Sequence, residues 1–189
     1  NAAGSSQTTT LSLQIQDPPS ISLTGSPFRY STGDAVSILP TLGSSVSAVS
    51  VSPALANGLS LNTSTGEISG SATGLLPATT YTLSASNAAG ATATTTLSLQ
   101  IVAPPTISLT GSPFSYSTGD SVTITPTLGS SVSSVGISPA LANSLSLDAS
   151  SGVISGVASG ALTATTYTLT ASNVAGAQVT TTFSLQILA

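Results

Sequence analysis

The side chains able to do chemistry are few and far apart. A single base, Arg29, is set against Asp17, Asp34, Glu67, Asp120 and Asp148, and the chain has no Lys, His or Cys. Asp34 and Asp120 close a repeated Ser-Thr-Gly-Asp motif just ahead of an apolar run. A carboxylate there could bind a cation or act as a base; the plainer reading is a turn in which the side chain accepts nearby backbone N–H groups. Glu67 is matched by Val153 in the second occurrence of its surroundings, so no shared carboxylate chemistry rests there. Asn62-Thr63-Ser64 is formally an N-glycosylation sequon, but Asn is also what a tight turn favours and its counterpart is Asp148. It reads as a turn.

Serine is abundant, yet without His, Lys or Cys nothing is at hand to activate a hydroxyl, and a Ser-His-Asp arrangement is impossible. The lack of Lys excludes internal Lys–Asn isopeptide cross-links as well. The tyrosines could form a sugar platform, but they alternate with Thr as core residues do, and Trp is missing. The expectation is a non-enzyme with no catalytic, cofactor-binding or metal-binding residues.

Charged residues are 3% of the chain and the net charge is −4. A phosphate backbone would find one Arg to neutralise it, which argues against nucleic-acid binding. Mean hydropathy is positive because charges are missing; no stretch approaches the roughly 20 apolar residues of a spanning helix, so no membrane insertion is expected. Disordered chains are poor in aliphatics, whereas 40% of this chain is hydrophobic and periodically placed. Ser and Thr alternate with Val, Leu, Ile and Ala, which is β-sheet composition.

What would position these residues is a duplication. Residues 18–103 and 104–189 align without a gap, with about three quarters of positions identical. Each copy opens on a Pro pair, Pro18-Pro19 and Pro104-Pro105, which removes two backbone donors, favours an extended path and reads as a stiff linker. The first residues, NAAGSSQTTTLSLQIQ, match NAAGATATTTLSLQIV (87–102) and NVAGAQVTTTFSLQIL (173–188). Three copies of this segment therefore accompany two copies of everything else, and one strand is left over. Asn1 falls inside the recurring motif, so the chain reads as a piece of something longer.

Within a copy, Leu97, Leu99 and Ile101 share one parity and Ser98 and Gln100 the other, giving one buried and one wet face. Tyr81, Leu83 and Ala85 alternate likewise in the run before, and Asn87-Ala88-Ala89-Gly90 joins the two as a hairpin. Further strands are marked by Ile21 and Leu23, by Val36 and Ile38, and by Val46, Val49 and Val51, broken by Gly25, Pro27, Gly33, Pro40 and Gly43. The pattern predicts an all-β chain of antiparallel sandwiches with about seven short strands in each copy.

The segments VSPALANGLSLNTSTGEISG (51–70) and ISPALANSLSLDASSGVISG (137–156), with TYTLSASNAAGATATTTLSLQI (80–101) and TYTLTASNVAGAQVTTTFSLQI (166–187), resemble the bacterial putative-Ig family, related to the cadherin-like domains of dystroglycan type. The resemblance implies tandem immunoglobulin-like, cadherin-like β-sandwiches that recur in large surface proteins, adhesins and secreted enzymes. Locally, Thr63-Ser64-Thr65-Gly66 makes a tight turn in which Gly66 can take positive φ, with Gly152 in its place in the second copy. Cadherin-type calcium joints need clustered acids at the boundary; Asp17 stands alone at one linker and Ala103 at the other, so no calcium is expected.

The organisation expected is therefore residues 1–17 as the last strand of a preceding repeat or an intermolecular donor strand, followed by repeats at 18–103 and 104–189. The function expected is a non-catalytic structural or adhesive array in an extracellular, cell-surface protein, stalk or fibre. Its partners would be neighbouring repeats of the same or identical chains, or host-surface or matrix ligands. The alternatives are a filament polymerised by strand complementation through residues 1–17 and an accessory glycan- or protein-binding module of a secreted enzyme.

Overall fold

The computed structural model describes residues 8–13 and 15–189; residues 1–7 and 14 of the expected N-terminal strand lie outside the described residues. Among the described residues there are strands and no helices, so none long and apolar enough to cross a membrane. Nine strands build the first half: β1 (Ile21–Ser22), β2 (Phe28–Ser31), β3 (Ala35–Ile38), β4 (Thr41–Leu42), β5 (Ala48–Ser52), β6 (Leu59–Leu61), β7 (Ile68–Ser71), β8 (Leu76–Ser86) and β9 (Thr92–Val102). Nine more repeat them: β10 (Ile107–Ser108), β11 (Phe114–Ser117), β12 (Ser121–Ile124), β13 (Thr127–Leu128), β14 (Val132–Ser138), β15 (Leu145–Leu147), β16 (Ile154–Val157), β17 (Leu162–Asn173) and β18 (Gln178–Leu188).

Each half is a sandwich of a four-stranded sheet, β2-β9-β8-β5 or β11-β18-β17-β14, over a three-stranded one, β3-β7-β6 or β12-β16-β15, with a small two-stranded ribbon beside them. The first strand of each large sheet runs parallel to the last, Phe28 opposite Leu99 and Phe114 opposite Leu185, and the other pairings within the sheets are antiparallel. Period-two alternation decides which side chains go inward. In β9, Leu97, Leu99 and Ile101 are buried and the residues between them are half exposed. They meet Val36, Ile38 and Ile68 of the small sheet in one core, and the second half repeats this with Phe183, Leu185, Ile187, Val122, Ile124 and Ile154.

The two packed sheets of each half hold the seven strands expected, with the ribbon adding two more; the strands differ from the expectation in length. β8, β9 and β18 each span eleven residues and β17 spans twelve. Pro77 does not end β8; the register with β9 shifts between Leu76 and Thr79, and pairing resumes. A bulge at the sheet margin accommodates a residue without an N–H.

The tight turn forms as the sequence predicts. Gly66 N–H donates to Asn62 O at 2.7 Å, Asn62 Oδ1 accepts from Ser64 and Thr65 N–H at 3.0 and 3.2 Å, and Gly66 has φ +73°. Its partner Gly152 has φ +71°. The two cores differ at one prominent place: Phe183 replaces Leu97, stacks on Tyr167 at 5.5 Å and meets Phe114 edge-on at 6.0 Å.

Candidate functional site: the joint between the sandwiches

The linker is pinned rather than free. β9 runs directly into Ala103, Pro104 and Pro105, and Pro105 is buried in the sandwich that follows. Ser131 Oγ donates to Pro104 O at 2.9 Å. The hairpin turn after β17 then closes on the same segment: Asn173 Nδ2 donates to Ala103 O at 3.0 Å and to Ser31 Oγ at 2.9 Å. The other end of that amide is used too, since Asn173 Oδ1 accepts from Ala175 and Ala177 N–H at 3.0 and 3.1 Å. One side chain thus fixes its own turn, the linker and the preceding sandwich.

Ser31 is delivered to this contact by the Ser-Thr-Gly-Asp turn. Asp34 Oδ2 accepts Ser31 N–H at 2.7 Å, and Ser31 O accepts Asp34 N–H at 3.0 Å. Ser31 is opposite Val102 in register, so both mark the far end of β2 and β9, whereas Asn173 ends β17 at the near end of the second sandwich. The contact is therefore pole to pole. Its consequence shows in the burial of Ser31, which is 2% exposed, while the equivalent Ser117 at the second sandwich's far end is exposed; Asn173 is buried in its own turn and linker, as its counterpart Asn87 is. Every buried side-chain nitrogen or oxygen among the described residues has a partner, as a dry polar contact requires.

The other singled-out residues lie apart. Asp120 repeats the turn bond, to Ser117 N–H at 2.7 Å, and Glu67 accepts from Ser37 Oγ at 2.8 Å. Asp148 takes the place of Asn62 and accepts from Ser150 Oγ at 2.6 Å, Ser150 N–H at 2.8 Å and Ser151 N–H at 3.2 Å. These bonds, the Ser150 hydroxyl first, hold its pKa down to about 2. Tyr30 titrates above its ordinary range, through burial first and the nearby Asp34 charge second. Arg29 is exposed on β2, and Asp17 presents its backbone carbonyl to Asn87 Nδ2 at 3.0 Å. Tyr81 and Tyr167 are core residues. Among the described residues no three acidic side chains come together.

A shallow crevice of about 370 Å³ flanks the joint, lined on one side by Leu75, Pro77 and Val102 and on the other by Ser130 and Ser131. Sequence reasoning took Asn87 and Asp34 as turn residues, left Asn173, the counterpart of Asn87, unremarked, and missed that the turns of Asp34 and Asn173 meet. The only signal was their recurrence at the poles of each repeat.

Two stacked sandwiches with this strand order form a tandem pair of immunoglobulin-like domains. The chain belongs to the Putative Ig domain family, whose model matches residues 7–102 and 101–188. Among solved structures, it is similar to murine CEACAM1b at 14% identity and TM-score 0.63, covering 90% of this chain and 100% of that one. The titin I-band fragment I67–I69 matches at 17% identity and TM-score 0.57, covering 92% of this chain and 66% of that one. The N-terminal eight Ig domains of Down Syndrome Cell Adhesion Molecule match at 14% identity and TM-score 0.56, covering 91% of this chain and 25% of that one. These likenesses fix the fold alone. The chain spans about two thirds of the titin fragment and a quarter of the adhesion-molecule fragment. No curated protein matches it in sequence.

Proposed function

We propose that the chain is a non-catalytic structural and adhesive segment of an extracellular surface protein, stalk or fibre, in which modules at 18–103 and 104–189 act as spacers and contact surfaces. The observation that carries this reading is the pinned joint. A recognition module on a loose tether would gain nothing from a buried Asn173–Ser31 bond between sandwiches, whereas a spacer needs its modules held in one direction. The neighbours support it by analogy of fold: a titin fragment and a cell adhesion molecule, both chains of several Ig domains. The hydroxyl-rich, charge-poor surface suits contact with like surfaces, since little repulsion opposes it.

Small-angle scattering of the chain tests the reading. Eleven residues of β9 span roughly 36 Å at about 3.3 Å each, so two modules set pole to pole give a rod of roughly 70–85 Å. Asn173→Ala is expected to broaden the distribution of lengths without unfolding either module. A compact particle with the modules side by side would defeat the proposal.

A further inference from the structure

Residues 8–15, TTTLSLQI, repeat residues 94–101 of β9 letter for letter. In β9 the side chains of Leu97, Leu99 and Ile101 are 1%, 0% and 2% exposed, whereas their counterparts Leu11, Leu13 and Ile15 are 89%, 78% and 88% exposed. Among the described residues, sequence that elsewhere closes a sandwich core closes none at this place. Both places that such a strand could fill are already taken, by β9 and by β18. The end of the segment is nevertheless seated as a joint. Asn87 Nδ2 donates to Asp17 O at 3.0 Å, as Asn173 Nδ2 does to Ala103 O at 3.0 Å, and Gln16 Oε1 accepts Ala89 N–H at 3.1 Å. What Asn87 lacks among the described residues is the second acceptor that Ser31 supplies to Asn173.

We propose that residues 8–16 are the last strand of a further sandwich of this same repeat, a module without its own equivalent of β9 or β18, whose far pole seats its Ser31 equivalent on Asn87. This rests on the reading of the chain as a repeat array and names the partner that the array meets at the module of residues 18–103. The register follows from β9: Leu11 lies across from the partner's Tyr81 equivalent, and Leu13 and Ile15 run parallel beside its Phe28 and Tyr30 equivalents. An intact second copy of the chain has no vacant slot and is not the partner.

The acceptor can be made from the chain itself. Ending it at Ala177 removes β18 and opens the second module, and Leu13→Asp in that same chain silences its own strand. Mixed with the intact chain, it is expected to form a one-to-one complex in analytical ultracentrifugation. Leu13→Asp in the intact partner should weaken the complex at least about 100-fold, because a charge would enter a closed core. Register is read by disulfide trapping in a chain without Cys. Thr168 pairs with Thr182, the counterpart of Thr10, so Thr10→Cys in the intact chain should couple to Thr168→Cys in the acceptor, and Thr8→Cys should not.

A peptide of residues 178–189 serves as positive control. Restoration of the open module by the peptide but not by the intact chain overturns the proposal. Should the opened module accept neither, residues 18–91 are fused directly ahead of residue 6 of the intact chain. A third module then forms, with the amides of Leu11 and Leu13 protected from hydrogen exchange as those of Leu97 and Leu99 are; unprotected amides overturn the proposal. Scattering from the two-module rod is untouched by these outcomes, so a failed donor strand and a failed spacer reading are told apart.

Discussion

At the scale of single residues, polar side chains hold turns in shape and the turns do the rest. Asn62 and Asp148 occupy the same turn in the two repeats, and both accept backbone N–H groups two and three residues on. Only Asp148 titrates. Its pKa lies at about 2 against an ordinary 3.8, so the folded state favours the charged form more than the unfolded state does. The stabilisation is complete above the unfolded value and is lost as pH falls from about 4 through 2. Calorimetry between those values is expected to show the second module losing transition temperature, and Asp148→Asn should flatten that part of its acid limb. The turn at Asn62 carries no such dependence. If Asp148→Asn left the acid limb of the second module unchanged, the three hydrogen bonds would not be those that matter.

At the scale of elements, close backbone approach sets the small sheet. Gly156 in β16 has φ +149°, and a Cβ there would run into the carbonyl oxygen of Ser144 and press on Leu145 Cα at 3.2 Å. The obstacle is backbone, which cannot swing aside. Gly156→Ala is therefore expected to cost about 3 kcal/mol or more in chemical denaturation of the second module, while Gly160→Ala, with open space around it, should stay within about 0.5 kcal/mol. Much at this scale was legible in the sequence. The alternation of Leu97, Leu99 and Ile101 with Ser98 and Gln100 gave the inward face of β9, and the glycine at 66 gave the turn. Strand length was less legible, because the Thr-rich runs of β8 and β17 pack one side chain in two deeply only over part of their course and Pro77 reads as a breaker. The Pro pair made the linker legible, but not the contact that pins it. Ser31 and Asn173 are 142 residues apart, and a single polar contact leaves no period in the sequence between them.

At the scale of the whole molecule, duplication makes its own control. Ser31 and Ser117 have the same turn, the same capping carboxylate and the same place at the end of a strand; they differ in that Ser31 meets the next module. Ser31→Ala leaves an amide hydrogen of Asn173 without a partner inside a closed contact, a loss of about 1–3 kcal/mol. Ser117→Ala removes an exposed hydroxyl and should fall within about 0.5 kcal/mol. Chemical denaturation of the two single variants, of Asn173→Ala and of the Ser31→Ala, Asn173→Ala double variant completes a cycle whose interaction energy isolates the contact from the loss of the Asn173 turn itself. The expected result is a coupling of about 1 kcal/mol or more. Equal effects of Ser31→Ala and Ser117→Ala would mean that the sandwiches are merely neighbours, and the directional spacer would lose its physical basis.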